Sequence, residues 1–374
     1  MTVPVYPNAR YSGRGIVTCA GGVKYLTCAW VLIRMLRYLG CTLPIELWYL
    51  GEDEGDPNWI KLAEPLGVTC VDAFEVAKTD PHPHLGGWES KSYAILHSRF
   101  EEVLFLDADN IPVIDPTFLF EGPEYRETGA IFWPDGMRTP PESSRWQIFD
   151  VPYRDEKEQE SGQILINKRR SWTALRLCNW YNEHSDFFYK HVYGDKDTFR
   201  LAWHRASRQY AMPTRGPEPI PFTLCQFDFG GRRLFQHRIH DKWSLFGNKR
   251  AADFWYEDLC NSFVDELGKQ WSPAALLNRN LTREDLERMA LMSRPKYRFV
   301  QVGRSGRNMK LAPTGAIAVG ASRREAYWYC RNGELVLLDS AGKPTRSFSP
   351  ETDGSWMGQS PSSNRLVRLV RIRR

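Results

Sequence analysis

Apolar runs alternate with amphipathic stretches along the first half of this chain, and the alternation predicts its fold class. Residues 103–106 are four apolar side chains in a row, which is typical of a strand buried on both faces of a sheet. Comparable runs predict further strands, at 15–19, 45–50, 68–71, 129–133 and 164–166. Helical stretches at 27–39 and 59–66 separate the first three strands. We therefore predict an α/β fold with a mostly parallel, doubly wound sheet and flanking helices.

The pattern changes in the last third of the chain. Residues 251–295 are polar and helical in periodicity, and after them short apolar runs alternate with turns. The dipeptide Asn332-Gly333 between two such runs is a strong hairpin signal, because both residue types tolerate positive φ. We predict a sheet domain over 1–250, a helical bridge over 251–295 and a small antiparallel β module with a basic tail over 296–374.

Composition narrows the class of protein without naming a function. With 42% hydrophobic and 25% charged residues, the chain is typical of globular proteins. No run approaches the roughly 20 apolar residues that a membrane span requires. Eight scattered cysteines without a C-x-x-C pair favour buried, reduced thiols. These features predict a cytoplasmic protein with no transmembrane segment.

The net charge of +5 is concentrated at the C-terminus, where the last ten residues hold five arginines. These arginines account for the whole excess, so the rest of the chain is balanced and does not predict a nucleic-acid partner. The tail over 366–374 could make weak contact with an acidic membrane surface. The alternative is a solvated, frayed terminus.

Two aspartates one residue apart, Asp107 and Asp109, follow the buried run and form a D-x-D motif. Ligands of open α/β sheets bind at the carboxyl ends of strands. If the strand stays extended, both carboxylates point to one side of it and could hold a divalent cation together with substrate phosphates. The alternative is a strand end with two solvated acids.

Two other segments are candidates for binding a nucleotide. The first strand runs into the small residues Ala20, Gly21 and Gly22, which could approach a nucleotide or merely form a tight turn. Lys91 stands near the start of a predicted helix, where its ammonium could meet a phosphate. A solvated surface lysine is the alternative.

Polar residues downstream complete the candidate chemistry. Glu160, Gly162 and Gln163 precede the strand at 164–166; they could face a sugar or form an ordinary polar turn. Asp195 and Asp197 precede a predicted helix, and capping would explain one of them but not both.

Two basic residues near position 240 could join this site. The sequence context of His237 suits it to share a metal ion with Asp109. Lys242 could neutralise a diphosphate. The alternative for each of these two residues, taken singly, is a structural role.

Taken in this order, the segments resemble the α-mannosyltransferase family that includes fungal Golgi enzymes, glycosyltransferase family 71. The resemblance covers about residues 13–250 and is carried by the segments 15–22, 91–110, 160–163, 194–199 and 237–243. A similar layout appears in the retaining family 8 glycosyltransferases, whose fold is the GT-A type. The resemblance thus implies a GT-A-type nucleotide-sugar-binding catalytic domain over 1–250.

The resemblance also implies a metal-dependent hexosyltransferase. Its expected donor is GDP-mannose, its acceptor is a hydroxyl group of a glycan, a glycolipid or another molecule, and its expected outcome is retention of anomeric configuration. Asp107, Asp109 and His237 would hold Mn²⁺ or Mg²⁺, with Asp107 also near the ribose. Lys91 and Lys242 would offset the charge of the donor diphosphate.

Further site roles follow from the same resemblance. Ala20, Gly21, Gly22, Gly162 and Gln163 are the expected contacts of the nucleotide-sugar. The expected catalytic carboxylate, which would support the oxocarbenium-like centre or bind donor hydroxyls, is Asp197 first, with Asp195 and Glu160 as alternatives.

Other functions remain open at this point. A UDP-hexose-dependent glycosyltransferase would have the same motifs. A sugar-phosphate nucleotidyltransferase should show a Gly-rich basic signature near the N-terminus, and none is visible. A non-catalytic carbohydrate-binding protein on this scaffold should have lost the paired acids or the late histidine, and both are present.

Overall fold

The computed structural model describes residues 3–301, 306–359 and 366–372, which form two compact units. The first unit contains the chain up to Gly21 together with Cys28–Lys242 and Lys249–Phe263. The second contains Gly22–Thr27, Trp243–Asn248 and the described chain from Val264 onward. Of the five arginines in the last ten residues, three lie outside the described residues: Arg365, Arg373 and Arg374.

The strands up to residue 240 are β1 (Arg14–Cys19), β2 (Ile45–Tyr49), β3 (Val68–Asp72), β4 (Glu102–Leu106), β5 (Asn110–Pro112), β6 (Ala130–Arg138), β7 (Lys157–Asn167), β8 (Glu218–Ile220), β9 (Thr223–Phe227) and β10 (Arg233–His237). The helices over the same range are α1 (Gly22–Tyr38), α2 (Pro57–Ala63), α3 (Ala73–Ala77), α4 (Glu89–His97), α5 (Pro123–Thr128), α6 (Arg145–Ile148), α7 (Lys168–Glu183), α8 (Ser185–Phe188) and α9 (Lys196–Arg205). Short 3₁₀ turns lie at Glu64–Leu66 and Pro116–Glu121.

A six-stranded sheet with the order β3-β2-β1-β4-β7-β6 forms the centre of the first unit. The first four strands in this order are parallel, while β7 runs antiparallel to both β4 and β6. The apolar runs that predicted β1, β4 and β7 are buried, as at Ile16, Leu104 and Ile164, whereas β3 at the edge of this sheet is only partly buried. The mostly parallel sheet and its flanking helices confirm the predicted α/β class. The carboxyl ends of β1, β2 and β4 share one edge, where ligands of such sheets bind.

A second, antiparallel sheet brings a distant segment to that edge. Its order is β5-β10-β9-β8, and β5 begins directly after the D-x-D motif. In the pairing of β5 with β10, His237 lies opposite Asn110. Residues 128 positions apart, Asp109 and His237, are thereby placed side by side.

Several predicted boundaries are wrong for local reasons. Helix α1 begins at Gly22 rather than at residue 27, because Gly22 at φ +63° turns the chain directly out of β1 and no capping side chain marks the start. Helix α2 ends at Ala63, after which Glu64–Leu66 tightens into a 3₁₀ turn.

Strand β7 is much longer than the predicted 164–166. The polar residues Glu160, Gly162 and Gln163 belong to it, so their interpretation as a turn is wrong. The side chains of Glu160 and Gln163 are buried against polar partners rather than apolar ones, and hydropathy therefore could not identify this segment as part of a strand.

The later elements are the helices α10 (Glu257–Gln270), α11 (Ala274–Asn278) and α12 (Arg283–Met292), followed by the strands β11 (Tyr297–Gln301), β12 (Arg307–Leu311), β13 (Ile317–Val319), β14 (Tyr327–Arg331), β15 (Glu334–Leu338), β16 (Pro344–Pro350), β17 (Trp356–Gln359) and β18 (Leu366–Arg371). The strands form one antiparallel sheet with the order β13-β12-β11-β18-β17-β16-β15-β14. Asn332 and Gly333, at φ 50° and 81°, connect β14 to β15 as the predicted hairpin. The predicted antiparallel C-terminal module is confirmed.

Two expectations about cysteines and membrane spans can be compared with the structure. All eight cysteines are free and six are buried, as predicted. Among the described residues, no helix combines the length and the apolar character needed to cross a bilayer.

Close packing at Gly15 generates a prediction about stability. A Cβ atom at position 15 would lie 2.3 Å from Cζ of the buried Phe100 ring. We expect Gly15→Ala to lower the free energy of unfolding by about 1–3 kcal/mol, the usual cost of overpacking a core. Urea denaturation followed by circular dichroism measures this difference.

The matched control is Gly136→Ala, since a Cβ atom at position 136 would meet nothing within 4 Å. Its expected change is below about 0.5 kcal/mol. Equal free energies of unfolding for Gly15→Ala and Gly136→Ala would contradict the close packing of Gly15 against Phe100.

Candidate active site

The D-x-D motif lies in a turn, not in an extended strand as expected. Strand β4 ends at Leu106, and the Asn110 backbone N–H donates to the Asp107 carbonyl over 2.9 Å. The Asp107 N–H donates to the Gly162 carbonyl over 2.8 Å, which fixes the turn against β7. Asp109 is buried and Asp107 is partly exposed. The two carboxylates still converge, because the turn rather than the strand directs them.

His237 joins these aspartates at the end of β10. Its Nε2 lies 3.1 Å from Asp109 Oδ1 and 3.7 Å from Asp107 Oδ2. One ligand atom from each of the three residues lies within 4.8 Å of the others. Burial disfavours a charged imidazole, but the carboxylates of Glu160 and Asp109 outweigh burial and raise the pKa of His237 to about 10.

Glu160 lies on the opposite side of the imidazole from Asp109. Its Oε1 is 3.0 Å from His237 Nδ1 and accepts the Gly162 N–H over 2.9 Å, while its Oε2 accepts Gln163 Nε2–H over 2.6 Å. Burial alone would raise the pKa of Glu160, but His237 lowers it. Glu160, which the sequence predicts as a catalytic alternative, therefore contacts His237 and fixes the orientation of its ring.

Gly162 leaves the space that His237 occupies. A Cβ atom at position 162 would lie 2.4 Å from His237 Nδ1. The carbonyl of Gly162 also accepts Asn110 Nδ2–H over 2.8 Å, and Asn110 donates to Gln163 Oε1 over 2.6 Å. The sequence analysis did not identify Asn110 as a site residue. Its position directly after the D-x-D motif could have indicated this role.

Lys91 is buried, so its interpretation as a solvated surface lysine is wrong. Its Nζ donates to the Ser161 carbonyl and hydroxyl over 2.9 and 3.0 Å. The same ammonium lies 3.2 Å from Asp107 Oδ1 and 3.1 Å from Asp195 Oδ2. Burial raises the pKa of Asp195, and Lys91 counteracts that rise. The first turn of α4 thus connects the D-x-D motif to the start of α9.

Asp197 lies in a neighbouring charged cluster. Its Oδ2 is 3.5 Å from Arg145 Nη1 and its Oδ1 is 3.5 Å from Arg200 Nη2. Arg145 also donates to Glu158 over 3.0 Å. Among the described residues, the ion pairs of Asp197 are with these two arginines and not with Asp107 or His237.

Neither Asp195 nor Asp197 caps α9. Asp195 occupies the N-cap position, but its side chain makes no capping hydrogen bond. The capping interpretation is therefore wrong. The charges of Lys91 and of the arginines, rather than the free backbone amides of the helix, attract these carboxylates.

Lys242 follows β10 and pairs with the second oxygen of Asp109. Burial would lower the pKa of Lys242, but Asp109 raises it. Burial would likewise raise the pKa of Asp109, but His237 and Lys242 hold it well below its usual range. Asp109 is therefore anionic and contacts two basic side chains.

The small residues after β1 lie at the same sheet edge. Ala20 donates its backbone N–H to the Trp48 carbonyl over 2.9 Å, and a Cβ atom at Gly21 would lie 2.1 Å from Glu54 Oε2. Cys19, just before them, donates its thiol to the Ser90 carbonyl over 3.6 Å. Ala20 and Gly21 therefore contact β2 and the loop that follows it, and these observations do not connect them to the Asp107 to His237 group.

The donor set fits a divalent cation. Asp107 and Asp109 offer carboxylate oxygens, and His237 would offer an imidazole nitrogen once metal binding displaces its proton. Mg²⁺ and Mn²⁺ prefer carboxylate oxygen, and imidazole suits transition metals. Lys91 and Lys242 lie beside this trio and neutralise Asp107, Asp109 and Asp195. A cation held here would supply the additional positive charge that an anionic ligand such as a diphosphate needs.

Comparison with known proteins identifies relatives of this chain. The α-1,2-mannosyltransferase MNN5 of Saccharomyces cerevisiae is 28% identical over 300 residues, which cover 64% of this chain and 51% of MNN5. The α-1,2-mannosyltransferase MNN2 of the same yeast is 29% identical over 245 residues, which cover 53% of this chain and 41% of MNN2. The chain thus spans about half the length of these curated relatives.

A solved glycosyltransferase structure and a family model also match this chain. The galactosyltransferase LgtC, in complex with donor and acceptor sugar analogs, is 17% identical with a TM-score of 0.38; the match covers 53% of this chain and 73% of LgtC. A sequence model described as "Mannosyltransferase putative" matches residues 13–159 and 152–218. Because these matches span more than half of its residues, the chain belongs to this mannosyltransferase family.

Proposed function

We propose that this protein is an α-mannosyltransferase that transfers mannose from GDP-mannose to a hydroxyl group of a glycan or another acceptor. Membership of the family and the names of MNN5 and MNN2 support mannosyl transfer. The observation that carries the proposal is the convergence of Asp107, Asp109 and His237 beside two lysines. The family match ends at residue 218, so the roles of His237 and Lys242 rest on this geometry.

The proposed metal ligands are Asp107, Asp109 and His237, with Mn²⁺ or Mg²⁺ as the ion. When bound, such an ion offsets the negative charge of the nucleotide diphosphate leaving group. Lys242 would supply positive charge to the same diphosphate, since its ammonium already lies at Asp109. Glu160 would keep the His237 ring oriented toward Asp109.

The transfer breaks the bond between the anomeric carbon and the diphosphate oxygen, and the electron pair leaves with the diphosphate. The acceptor oxygen forms the new bond and releases its proton. We propose that configuration is retained and that a phosphate oxygen takes this proton. The positive charge that develops on the sugar then needs a nearby carboxylate.

Asp195 is better placed than Asp197 to supply that carboxylate. Through Lys91 it shares an ammonium with Asp107 of the proposed diphosphate site. Asp197, the first expectation from the sequence, pairs with Arg145 and Arg200, which belong to the neighbouring cluster rather than to the diphosphate site. We therefore propose Asp195 as the group that supports the sugar.

Removing Asp109 tests the function and its metal site together. In a thermal-shift panel of GDP, UDP and their sugars, we expect GDP with Mn²⁺ to raise the Tm of the wild type by several degrees. Asp109→Ala should lose this metal-dependent shift while keeping its fold by circular dichroism. Asp258→Ala, at a highly exposed position, is the control and should behave like the wild type.

Each outcome of this panel has a distinct meaning. Mn²⁺-dependent binding retained by Asp109→Ala would refute the proposed ligand. Stabilisation by UDP rather than GDP would identify a UDP-hexose enzyme. A wild type that responds to no nucleotide would contradict the transferase proposal.

Gly162→Ala tests whether the position of His237 matters without changing any proposed ligand. The added methyl group would collide with His237 Nδ1 and displace the ring. We expect Mn²⁺-dependent GDP binding to weaken about 10- to 100-fold, as when a supporting group of a metal site is lost. Isothermal titration calorimetry measures the affinity. Gly136→Ala is the control, and an unchanged affinity in Gly162→Ala would show that this contact is dispensable.

Asp195→Asn and Asp197→Asn separate the two candidate carboxylates. We expect Asp195→Asn to lower the rate of GDP release from GDP-mannose about 100-fold, because it removes a charge that stabilises the transition state. Asp197→Asn should mainly lower the Tm, since it breaks a buried ion-pair network. A larger rate loss in Asp197→Asn at unchanged Tm would reinstate Asp197.

A further inference from the structure

Three aromatic side chains form a surface patch outside the site described so far. The indole of Trp88 is 51% exposed and the ring of Tyr193 is 76% exposed, with centroids 5.4 Å apart. The ring of Tyr189 lies 6.4 Å from Trp88 and is partly buried. Exposed aromatic rings that contact one another offer flat apolar area, which binding surfaces often use. We call Trp88, Tyr189 and Tyr193 the aromatic platform.

A shallow, open cavity of about 570 Å³ lies beside the platform. Trp88 and Tyr189 line it together with Glu89, Asp186 and His84. The carboxylates of Glu89 and Asp186 can accept hydrogen bonds from hydroxyl groups, and they would repel an anionic ligand. His84 lies 3.5 Å from Asp186 and is the basic residue of this wall. The cavity therefore suits a neutral, hydroxyl-rich molecule with one apolar face.

The platform residues lie close in sequence to the proposed catalytic residues. Trp88 directly precedes α4, and its carbonyl accepts the backbone N–H of Lys91 over 3.2 Å. Tyr193 and Gly194 directly precede Asp195. Gly194 has φ +66°, and a Cβ atom there would lie 2.5 Å from Trp88 Cε3, so the indole packs directly on this backbone. Lys91 follows Trp88 by three residues, and Asp195 follows Tyr193 by two. The two segments that carry the platform therefore also carry the Lys91–Asp195 ion pair.

We infer that the aromatic platform and its cavity bind a neutral pyranose ring of the acceptor. A pyranose has an apolar C–H face that stacks on aromatic rings and a rim of hydroxyls that donates to carboxylates. The inference rests on the proposed function, because the ring would be an acceptor sugar placed beside Asp195. Trp88 is then a determinant of acceptor affinity and not of donor affinity.

The kinetic test compares the acceptor KM with the donor KM, using α-1,2-mannobiose and GDP-mannose as probes. We expect Trp88→Ala and Tyr193→Ala to raise the ratio of acceptor KM to donor KM at least tenfold. Trp88→Phe should recover part of this loss, because it restores an aromatic face. Tyr38→Ala is the matched control: Tyr38 is 59% exposed and also contacts a second tyrosine, Tyr256, but it lies on α1. A ratio within twofold of the wild type in Trp88→Ala would overturn the inference.

A binding test keeps the inference independent of turnover. Saturation-transfer NMR should show α-1,2-mannobiose bound to the wild type, and this signal should be lost in Trp88→Ala but kept in Tyr38→Ala. Mannose 6-phosphate should bind more weakly, because Glu89 and Asp186 repel it. Equal mannobiose signals from the wild type and Trp88→Ala would overturn the platform. If mannobiose binds the wild type but not Trp88→Ala, and no mannose is transferred from GDP-mannose, the result would count against the proposed function and not against the platform.

Discussion

Three buried carboxylates at one edge of the central sheet, those of Asp109, Glu160 and Asp195, require compensating charge before the chain can fold. An unpaired buried charge costs several kcal/mol, so each of them needs a basic partner. His237 pairs with Asp109 and Glu160, Lys242 with Asp109, and Lys91 with Asp195. None of these partners is close in sequence to the carboxylate it neutralises. The fold of the first unit therefore brings together the basic residues that neutralise these carboxylates.

The two sheets of the first unit explain how these charges meet. Strands β4 and β7 hold the D-x-D turn against Gly162, and β5 continues from that turn into the smaller sheet. There β10 pairs with β5 and delivers His237 opposite Asn110. A sheet edge alone would present only carboxylates. The added hairpin strand supplies an imidazole, which changes an acidic edge into a mixed nitrogen and oxygen donor set.

The sequence predicted those features that depend on local pattern. Apolar runs such as 103–106 identified the buried strands, and Asn332-Gly333 identified a hairpin, because both signals act over a few residues. Three predicted ligands, Asp107, Asp109 and His237, do lie together; that they bind a cation stays a prediction. The contact between Glu160 and His237 was not predictable. It depends on how β7 lies relative to β10, whose His237 is 77 positions away in sequence. The same reason explains why Asp195 and Asp197 could not be ranked from the sequence.

The opposite surroundings of Asp195 and Asp197 follow from helix geometry. Asp195 already has helical φ and ψ values. At 3.6 residues per turn, the side chains of residues i and i+2 point about 200° apart around the helix axis. One carboxylate must therefore face Lys91 while the other faces Arg145 and Arg200. Arg145 belongs to α6 and also holds Glu158 of β7, so it fixes α9 against the central sheet from the far side. The ion pairs of Asp197 then have a structural role, because they fix the orientation of α9 about its axis and thereby keep Asp195 next to Lys91.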